Sequence, residues 1–463
     1  MKISLFSLFN IPYSAYSLRL LCNSLRKSGF PSKVYYYPSD FRKPYNRETL
    51  KKISKYLADS DIIGISLFTN HFSNAVLLTE YLKQIGSKAL IVFGGVHSIV
   101  RPEECLKYAD IVCVGEAEEC FPLLCEKIAS GKTFTDVAGF WHVDRKTKQI
   151  IKNPPHFVED LNSIPFALYS EDHLLIEEDK LTPLVETNIP YYGTLASRGC
   201  PFGCTYCINN YYNKRNPKIV RFRTIDNLLQ ELFLAKKQHK EIKYIMIDDD
   251  AFFTMDLKYI KEFASRYKKQ IDLPFYISGI TPRTISQEKL AYLTEAGLKV
   301  VRMGFQSASQ KILSIYKRHY TQEHMLKSVE ISTGFDIATQ LDIITDNPWE
   351  SEEDTLETIL LLNKAKKPFQ LNIFNLVFFP GTDLYERAKK EGLISDEKLE
   401  IYNMRYHSYR KNALNTTLEL LDMRSKIYLS LPFIIEFMLK NRKHNSKLYS
   451  YLIKFYKSLN RFY

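Results

Sequence analysis

Cysteine is absent after Cys207, so more than half of this 463-residue chain carries no thiol. No histidine stands near the last three cysteines, the next one downstream being His239. These absences argue against a closed zinc site, which takes four Cys or His ligands. Eight cysteines in 463 residues are too sparse for a disulfide scaffold. No bilayer-spanning run is expected either: the apolar stretch near the C-terminus, Leu429 to Leu439, is short and contains Pro432 and Glu436. Nor is an export signal expected, since the apolar start from Met1 to Phe9 stops at Asn10-Ile11-Pro12 and alternates like a first strand. Hydrophobic residues make up 45%, enough for a full core, and the length implies two or three domains.

Acidic residues are scarce at the C-terminal end. From Ile401 to Tyr463, 12 Lys/Arg face 3 Asp/Glu, so this segment holds +9 of the net +12 and the remainder is nearly neutral. Such a tail suits nucleic acid, an anionic membrane surface or an acidic partner, or else a helical cap with a solvated basic face. Its last stretch sets Leu448, Leu452, Phe455, Leu459 and Phe462 on one stripe beside Lys447, Lys454, Lys457 and Arg461. The expected use is docking on the preceding domain, with peripheral membrane contact as the other use and no nucleic acid.

What is present is Gly199-Cys200-Pro201-Phe202-Gly203-Cys204-Thr205-Tyr206-Cys207. C-x3-C-x2-C on one short loop can aim three sulfurs at one metal centre. A closed iron–sulfur cluster takes four thiolates, so three leave one iron open to a ligand that is not protein. The bland alternative is three unrelated thiols or a zinc knuckle, but clustered thiols without a metal are a chemical liability. The spacing, with Tyr206 at the aromatic place, resembles the C-x3-C-x-aromatic-C signature of the radical S-adenosylmethionine (radical SAM) family. That resemblance implies a 4Fe-4S cluster on Cys200, Cys204 and Cys207. It implies S-adenosylmethionine chelated to the open iron, Tyr206 near the adenine, and reductive cleavage to a 5'-deoxyadenosyl radical. It also implies an electron donor such as flavodoxin or ferredoxin and, because the cluster is oxygen-sensitive, a reducing cytoplasmic compartment.

Ahead of this motif, Ile3 to Phe9, Lys33 to Tyr37, Ile62 to Leu67, Leu90 to Phe93 and Ile111 to Val114 read as short apolar strands separated by helices. The pattern predicts a doubly wound, Rossmann-like parallel sheet that binds ligands at the carboxyl ends of its strands. Its strand-end loops carry Ser66 to Thr69, Gly94-Gly95-Val96-His97 and Gly115-Glu116. This succession before a radical SAM motif resembles the cobalamin-binding domain of cobalamin-dependent radical SAM enzymes. By that resemblance the corrin lies across Ser66, Thr69, Gly94, Gly95, Gly115 and Glu116, facing the second domain. The D-x-H-x-x-G motif that supplies a cobalt ligand in other cobalamin domains is missing from Phe9 to Ser17. His71 and His97 are expected to be structural histidines. Cys105, Cys113, Cys120 and Cys125 read as small buried hydrophobes, not as a second cluster.

Prolines 154, 155, 165, 183 and 190 mark a hairpin tail and a connecting segment. Asp160 to Pro165 resembles the linker that precedes the radical SAM domain in this family. Beyond it, Tyr191 to Ala196, Lys243 to Ile247, Phe275 to Ser278, Val300 to Gly304, Thr339 to Ile344 and Leu371 to Phe378 read as six strands with intervening helices. They predict a partial (β/α)6 barrel of TIM type, with reactive groups at the carboxyl ends of the strands. Asp248-Asp249-Asp250 follows the second of these strands. Capping accounts for one or two of these carboxylates, and Asp248 or Asp249 matches the element that receives the amino group of S-adenosylmethionine. Ser278, Arg302, Gln306 and Ser307 match family positions near the ribose, carboxylate and adenine, with a structural ion pair as the other reading of Arg302. Phe379 to Thr382 resembles a P-G-T turn of cobalamin-type relatives. Asp346 to Ser351 replaces a glycine-containing turn, which points to a distinct substrate pocket near Trp349.

The expected organisation is a cobalamin-binding domain at 1–145, a linker at 146–188, a radical SAM domain at 189–395 and a basic helical region at 396–463. The implied function is methyl transfer to an unactivated carbon of a small molecule of unknown class. The alternatives are a radical rearrangement, cyclisation or oxidation with an empty N-terminal domain, and a non-catalytic iron–sulfur protein.

Overall fold

The computed structural model describes residues 1–427, except 10–14, 41–42, 145, 179, 217 and 405–406, together with Tyr451. The loop residues Asn10 to Pro12, the apolar run from Leu429 and the C-terminal stripe from Leu448 lie outside the described residues. Packing divides the chain into two discontinuous units. The first comprises Met1–Gly199, Asn210–Ile245 and Phe378–Met404; the second contains Cys200–Asn209 and Met246–Val377, with the described residues after 406.

The first unit is built on nine strands: β1 (Ile3–Ser7), β2 (Ser32–Tyr36), β3 (Ile62–Ser66), β4 (Leu90–Gly94), β5 (Ile111–Cys113), β6 (Phe140–Val143), β7 (Ile150–Lys152), β8 (His173–Ile176) and β9 (Leu181–Pro183). Their order is β7-β6-β5-β4-β3-β1-β2-β8-β9. The run from β5 to β8 is parallel, and an antiparallel pairing closes each side. All five residues of β1 are buried, as expected where helices cover both faces. Because β1 lies between β2 and β3, the strand order reverses there, and a doubly wound sheet opens its ligand crevice at such a switch point.

The five predicted strands are all present, each within two residues of its expected ends. The stretch 146–188 differs from the expected linker: it adds β7, β8 and β9 to the sheet. Asn23 fastens it by donating from Nδ2 to the carbonyls of Phe166 and Leu168 at 2.8 and 3.1 Å. Strands β8 and β9 escape sequence reading because they have four and three residues and β9 ends in a proline, which only an edge tolerates.

After β10 (Tyr191–Thr194) come the two-residue strands β11 (Ser197–Arg198) and β12 (Arg221–Phe222), which pair antiparallel. The remaining strands are β13 (Tyr244–Ile247), β14 (Phe275–Ile280), β15 (Leu298–Gln306), β16 (Ala338–Thr345) and β17 (Gln370–Asn375). With β10 they form a six-stranded sheet in sequential order, β10-β13-β14-β15-β16-β17, the topology of an open (β/α)6 barrel. Helices such as Leu257–Gln270, Gln287–Ala296 and Glu352–Lys364 return the chain between strands. Asp256, Ser286 and Ser351 start them by accepting the backbone N–H three residues on. Among the described residues, no helix is long and apolar enough to cross a membrane.

A buried ionic knot consolidates the first unit. Glu231 has no exposed surface and pairs with Arg223, while accepting hydrogen bonds from Tyr192 Oη at 2.7 Å, Thr194 Oγ1 at 3.0 Å and the Ala167 N–H at 3.1 Å. Burial alone would raise its carboxyl; Arg223 and Tyr192 hold it below the usual value instead. Removing one partner strands the other charge. Glu231→Ala is therefore expected to cost about 3–5 kcal/mol in urea unfolding, and a loss below ~1 kcal/mol would show that the knot is dispensable.

Candidate functional site

The cysteine loop begins where β11 ends. Gly199 has φ +91°, and a Cβ there would lie 1.9 Å from the Ile219 carbonyl oxygen, so the turn admits only glycine. Beyond it Cys204 is buried, with Cys200 and Cys207 half-buried. Burial, with the charges of Asp250 and Cys204 adding to it, pushes Cys200 up to about 11 and Cys207 up to about 12. Cys200 and Cys207 are therefore poor thiolates alone, and a coordinating metal deprotonates a thiol outright. Among the described residues no three Cys, His, Asp or Glu side chains are already drawn to metal-ligand geometry. An all-sulfur set of three is the donor chemistry that fits an iron–sulfur cluster with one open iron.

The loop is fastened to the end of the helix Gln310–Ile315. Thr205 donates from its N–H to the Tyr316 carbonyl at 3.2 Å and from its hydroxyl to the Ile315 carbonyl at 2.7 Å. The Tyr206 ring meets Tyr316 edge-on at 5.0 Å, and its hydroxyl accepts from Arg318 Nε at 3.0 Å. Burial works against the Arg318 charge, but the Tyr206 and Tyr320 phenols and Cys204 hold the guanidinium above its ordinary value. The sequence reading passed over Arg318, since one arginine 112 residues from Tyr206 gives no signal by spacing.

The three carboxylates after β13 separate in role. Asp249 is buried, and its Oδ1 accepts the Ala251 N–H at 2.9 Å, which is a turn cap and not an open acceptor. Asp248 is exposed and accepts the Ser278 hydroxyl at 2.7 Å, so two expected site residues meet at neighbouring strand ends. Asp250, which was not chosen between the two, is the carboxylate whose field reaches Cys200 and Cys207. Its own carboxyl is pushed up by burial and by Asp248, against a hydrogen bond from Asn209.

Arg302 takes the ion-pair alternative. Its Nε donates to both Asp342 oxygens at 2.8 and 2.9 Å, and its guanidinium lies 5.4 Å from the Phe374 ring centre, so its geometry gives no support to a role with a ligand carboxylate. Gln306 ends β15 at φ +69°, where the register with β16 shifts. Ser307 is buried, 3.2 Å from the Thr358 hydroxyl and 3.4 Å from Glu350. Burial and Asp354 push the Glu350 carboxyl up to about 8. Sequence reading singled out the turn that contains Glu350 but not this residue, because its shift comes from tertiary burial.

At the first sheet, Ser66 and Gly94 are partners in register at the ends of β3 and β4. Gly95 follows at φ +90°, where a Cβ would lie 2.7 Å from the Leu67 carbonyl and 3.2 Å from Ser66 Oγ. Thr69 Oγ1 is 3.1 Å from His97 Nδ1. These four residues therefore gather at one edge of the strands. His97 is fully buried, 4.6 Å from the Phe72 ring centre, and His71 is pushed down to about 4 by burial; both are packed as structural histidines. Gly115 and Glu116 are corrected. The backbone approach that Gly115 permits is made by His156, whose carbonyl would lie 2.2 Å from a Cβ. Glu116 is held in a bidentate pair by Arg221 at 2.8 Å, with Arg198 at 3.3 Å, and accepts the Val158 N–H at 2.8 Å. Its carboxyl is committed to a structural hub. Cys105, Cys113, Cys120 and Cys125 are all buried, as expected.

The sequence matches the B12 binding domain over residues 12–124 and the Radical SAM superfamily over residues 194–362. An uncharacterized methyltransferase of Pyrococcus horikoshii is 25% identical over 353 residues, covering 74% of this chain and 72% of that protein. The anaerobic magnesium-protoporphyrin IX monomethyl ester cyclase of Rubrivivax gelatinosus is 25% identical over 399 residues, covering 81% and 67%. Among solved structures, the radical S-adenosylmethionine methyltransferase TsrM of Kitasatospora setae, with cobalamin and a [4Fe-4S] cluster bound, superposes with a TM-score of 0.63. It is 15% identical, covers 84% of this chain and 75% of its own, and shows the shared fold.

The raised Glu350 carboxyl has a consequence for stability. Between pH about 4.5 and about 8 the folded protein holds a proton that the unfolded chain has released, so this group makes stability fall as pH rises through that window. Glu350→Gln is expected to flatten that slope and raise the melting temperature at pH 8 relative to wild type. Parallel wild-type and variant pH profiles by calorimetry would rule out the buried neutral acid.

Proposed function

We propose that this chain, a member of the radical SAM enzymes that carry a B12 binding domain, methylates an unactivated carbon of a small-molecule substrate. The observation that carries this reading is the tandem of the two domains in one chain, at 12–124 and 194–362. The methyltransferase among its relatives supports the reaction type.

In this reading Cys200, Cys204 and Cys207 hold a 4Fe-4S cluster as thiolates. Asp248 receives the ammonium of S-adenosylmethionine, oriented by the Ser278 hydroxyl that donates to it at 2.7 Å. Tyr206, fixed by Tyr316 and Arg318, stands beside the adenine, with Gln306 and Ser307 at the end of β15 contributing polar contacts. Ser66, Thr69, Gly94 and Gly95 line the corrin. When bound, these groups supply an electron, a radical source and a methyl carrier; the chain itself supplies their placement. The cyclase relative, matched over a larger share of this chain than the methyltransferase, favours one second reading: non-methylating radical chemistry on the same frame.

The test is anaerobic reconstitution with iron, sulfide and hydroxocobalamin, followed by cobalt analysis after gel filtration and assay of 5'-deoxyadenosine under reduction. Near-stoichiometric cobalt with 5'-deoxyadenosine is expected. Cys204→Ala should abolish the nucleoside and leave cobalt binding intact, since the corrin contacts lie elsewhere in the chain. Nucleoside without cobalt would give the second reading, and neither would defeat both.

A further inference from the structure

The helix Tyr16–Lys27 carries an arginine into the core of the first unit. Cys22 Sγ lies 3.4 Å from the Ser32 carbonyl oxygen and 3.3 Å from the Ser32 hydroxyl, which sets this helix over the side of β2 that bears Ser32. Arg19 stands three residues before Cys22, on the same helix face. On β2 the residues Ser32, Val34 and Tyr36 share one side, and the parallel register that pairs Val34 with His173 of β8 puts His173 on that side too. Arg19, Tyr36 and His173 therefore gather between one helix and two neighbouring strands, and none of the three has any exposed surface.

Each of them holds a hydrogen-bond donor that nothing accepts. Arg19 Nη2 donates to the Gly193 carbonyl at 3.3 Å, but Nε and Nη1 have no acceptor among the described residues. The Arg19 Cζ lies over the Tyr169 ring, 4.1 Å from its centre, a contact that uses the charge and leaves these N–H groups unspent. Tyr36 Oη is likewise without a partner. In His173, Nδ1 accepts the Ser170 N–H at 3.1 Å, so the proton of the neutral ring sits on Nε2, which also has no partner. Burial, with the Arg19 and Arg26 charges, pushes His173 down to about 3 and keeps that ring neutral. Charge is out of balance at the same place. Glu231 is the acid whose field reaches Arg19, and it is already paired with Arg223, which leaves two guanidinium groups to one carboxylate. Burial pushes the Tyr36 phenol up, so it supplies no negative charge.

We propose that Arg19, Tyr36 and His173 bind a small inorganic anion of the halide class inside the first unit. A buried donor without an acceptor and a buried cation without a counter-ion are both costly, and one monatomic anion removes both costs. Water is the weaker fit, since a water molecule accepts two hydrogen bonds and leaves the charge unbalanced. The inference is independent of the reaction proposed above.

The test is thermal unfolding of the full chain in sodium gluconate, with gluconate replaced stepwise by chloride or bromide at constant ionic strength. The wild-type melting temperature is expected to rise by about 3 °C once halide exceeds its dissociation constant about a hundredfold. Arg19→Met removes the charge at similar length and should abolish that dependence. Tyr36→Phe removes one donor and should weaken halide binding about tenfold. Crystals soaked in bromide should show an anomalous peak within hydrogen-bond distance of Arg19 Nη1. A wild-type melting temperature indifferent to halide overturns the proposal, and a bromide peak seen alongside that indifference is an adventitious ion only. A halide-dependent rise that is undiminished in Tyr36→Phe overturns it as well, because the anion would then act elsewhere, and this arm decides even where Arg19→Met fails to fold.

Discussion

Three cysteines stand on one nine-residue loop, Gly199 to Cys207, and the placement of that loop depends on contacts it makes with residues far along the chain. The loop can hold that shape only because Gly199 turns where no Cβ fits and because Thr205 and Tyr206 are bonded to the connection at 315–318. Cys200 and Cys207 resist ionisation, raised by burial and by the charges of Asp250 and Cys204. A protein has little reason to keep such groups together unless a metal converts the mutual penalty into shared coordination.

Charge is placed with similar economy of partners. Glu231, Glu116 and Arg302 each sit where burial would be costly for an isolated ion, and each is matched by a counter-ion with further hydrogen bonds. Glu350 is the exception: it lies near Asp354, another acid, and retains its proton instead. Asp248 differs from all of them, exposed and bonded to a neutral hydroxyl, which leaves its charge available to a ligand. The contrast separates carboxylates held in ion pairs from one that meets a neutral hydroxyl.

The strands were legible because parallel sheets leave short, nearly continuous apolar runs, and those runs survive with shifts of up to three residues. A hairpin tail was legible at β6 and β7, but β8 and β9 were not, because strands of three or four residues carry too little pattern. The cysteine motif was legible because its ligands lie within one loop. Asp250 and Arg318 were harder: nothing in local spacing says which of three adjacent aspartates acts electrostatically on Cys207, or that an arginine after the helix Gln310–Ile315 returns to Tyr206.

By itself the sequence determined two α/β halves, a trio of cysteines on one short loop, and the glycine and hydroxyl positions at the strand ends, since all of these are properties of neighbouring residues. Tertiary structure alone decided which charges are spent on the fold. Arg302 meets Asp342 across 40 residues and Glu116 meets Arg221 across 105, and a side chain's partner over such a span is set by how strands and loops are brought together, which pattern and composition do not encode.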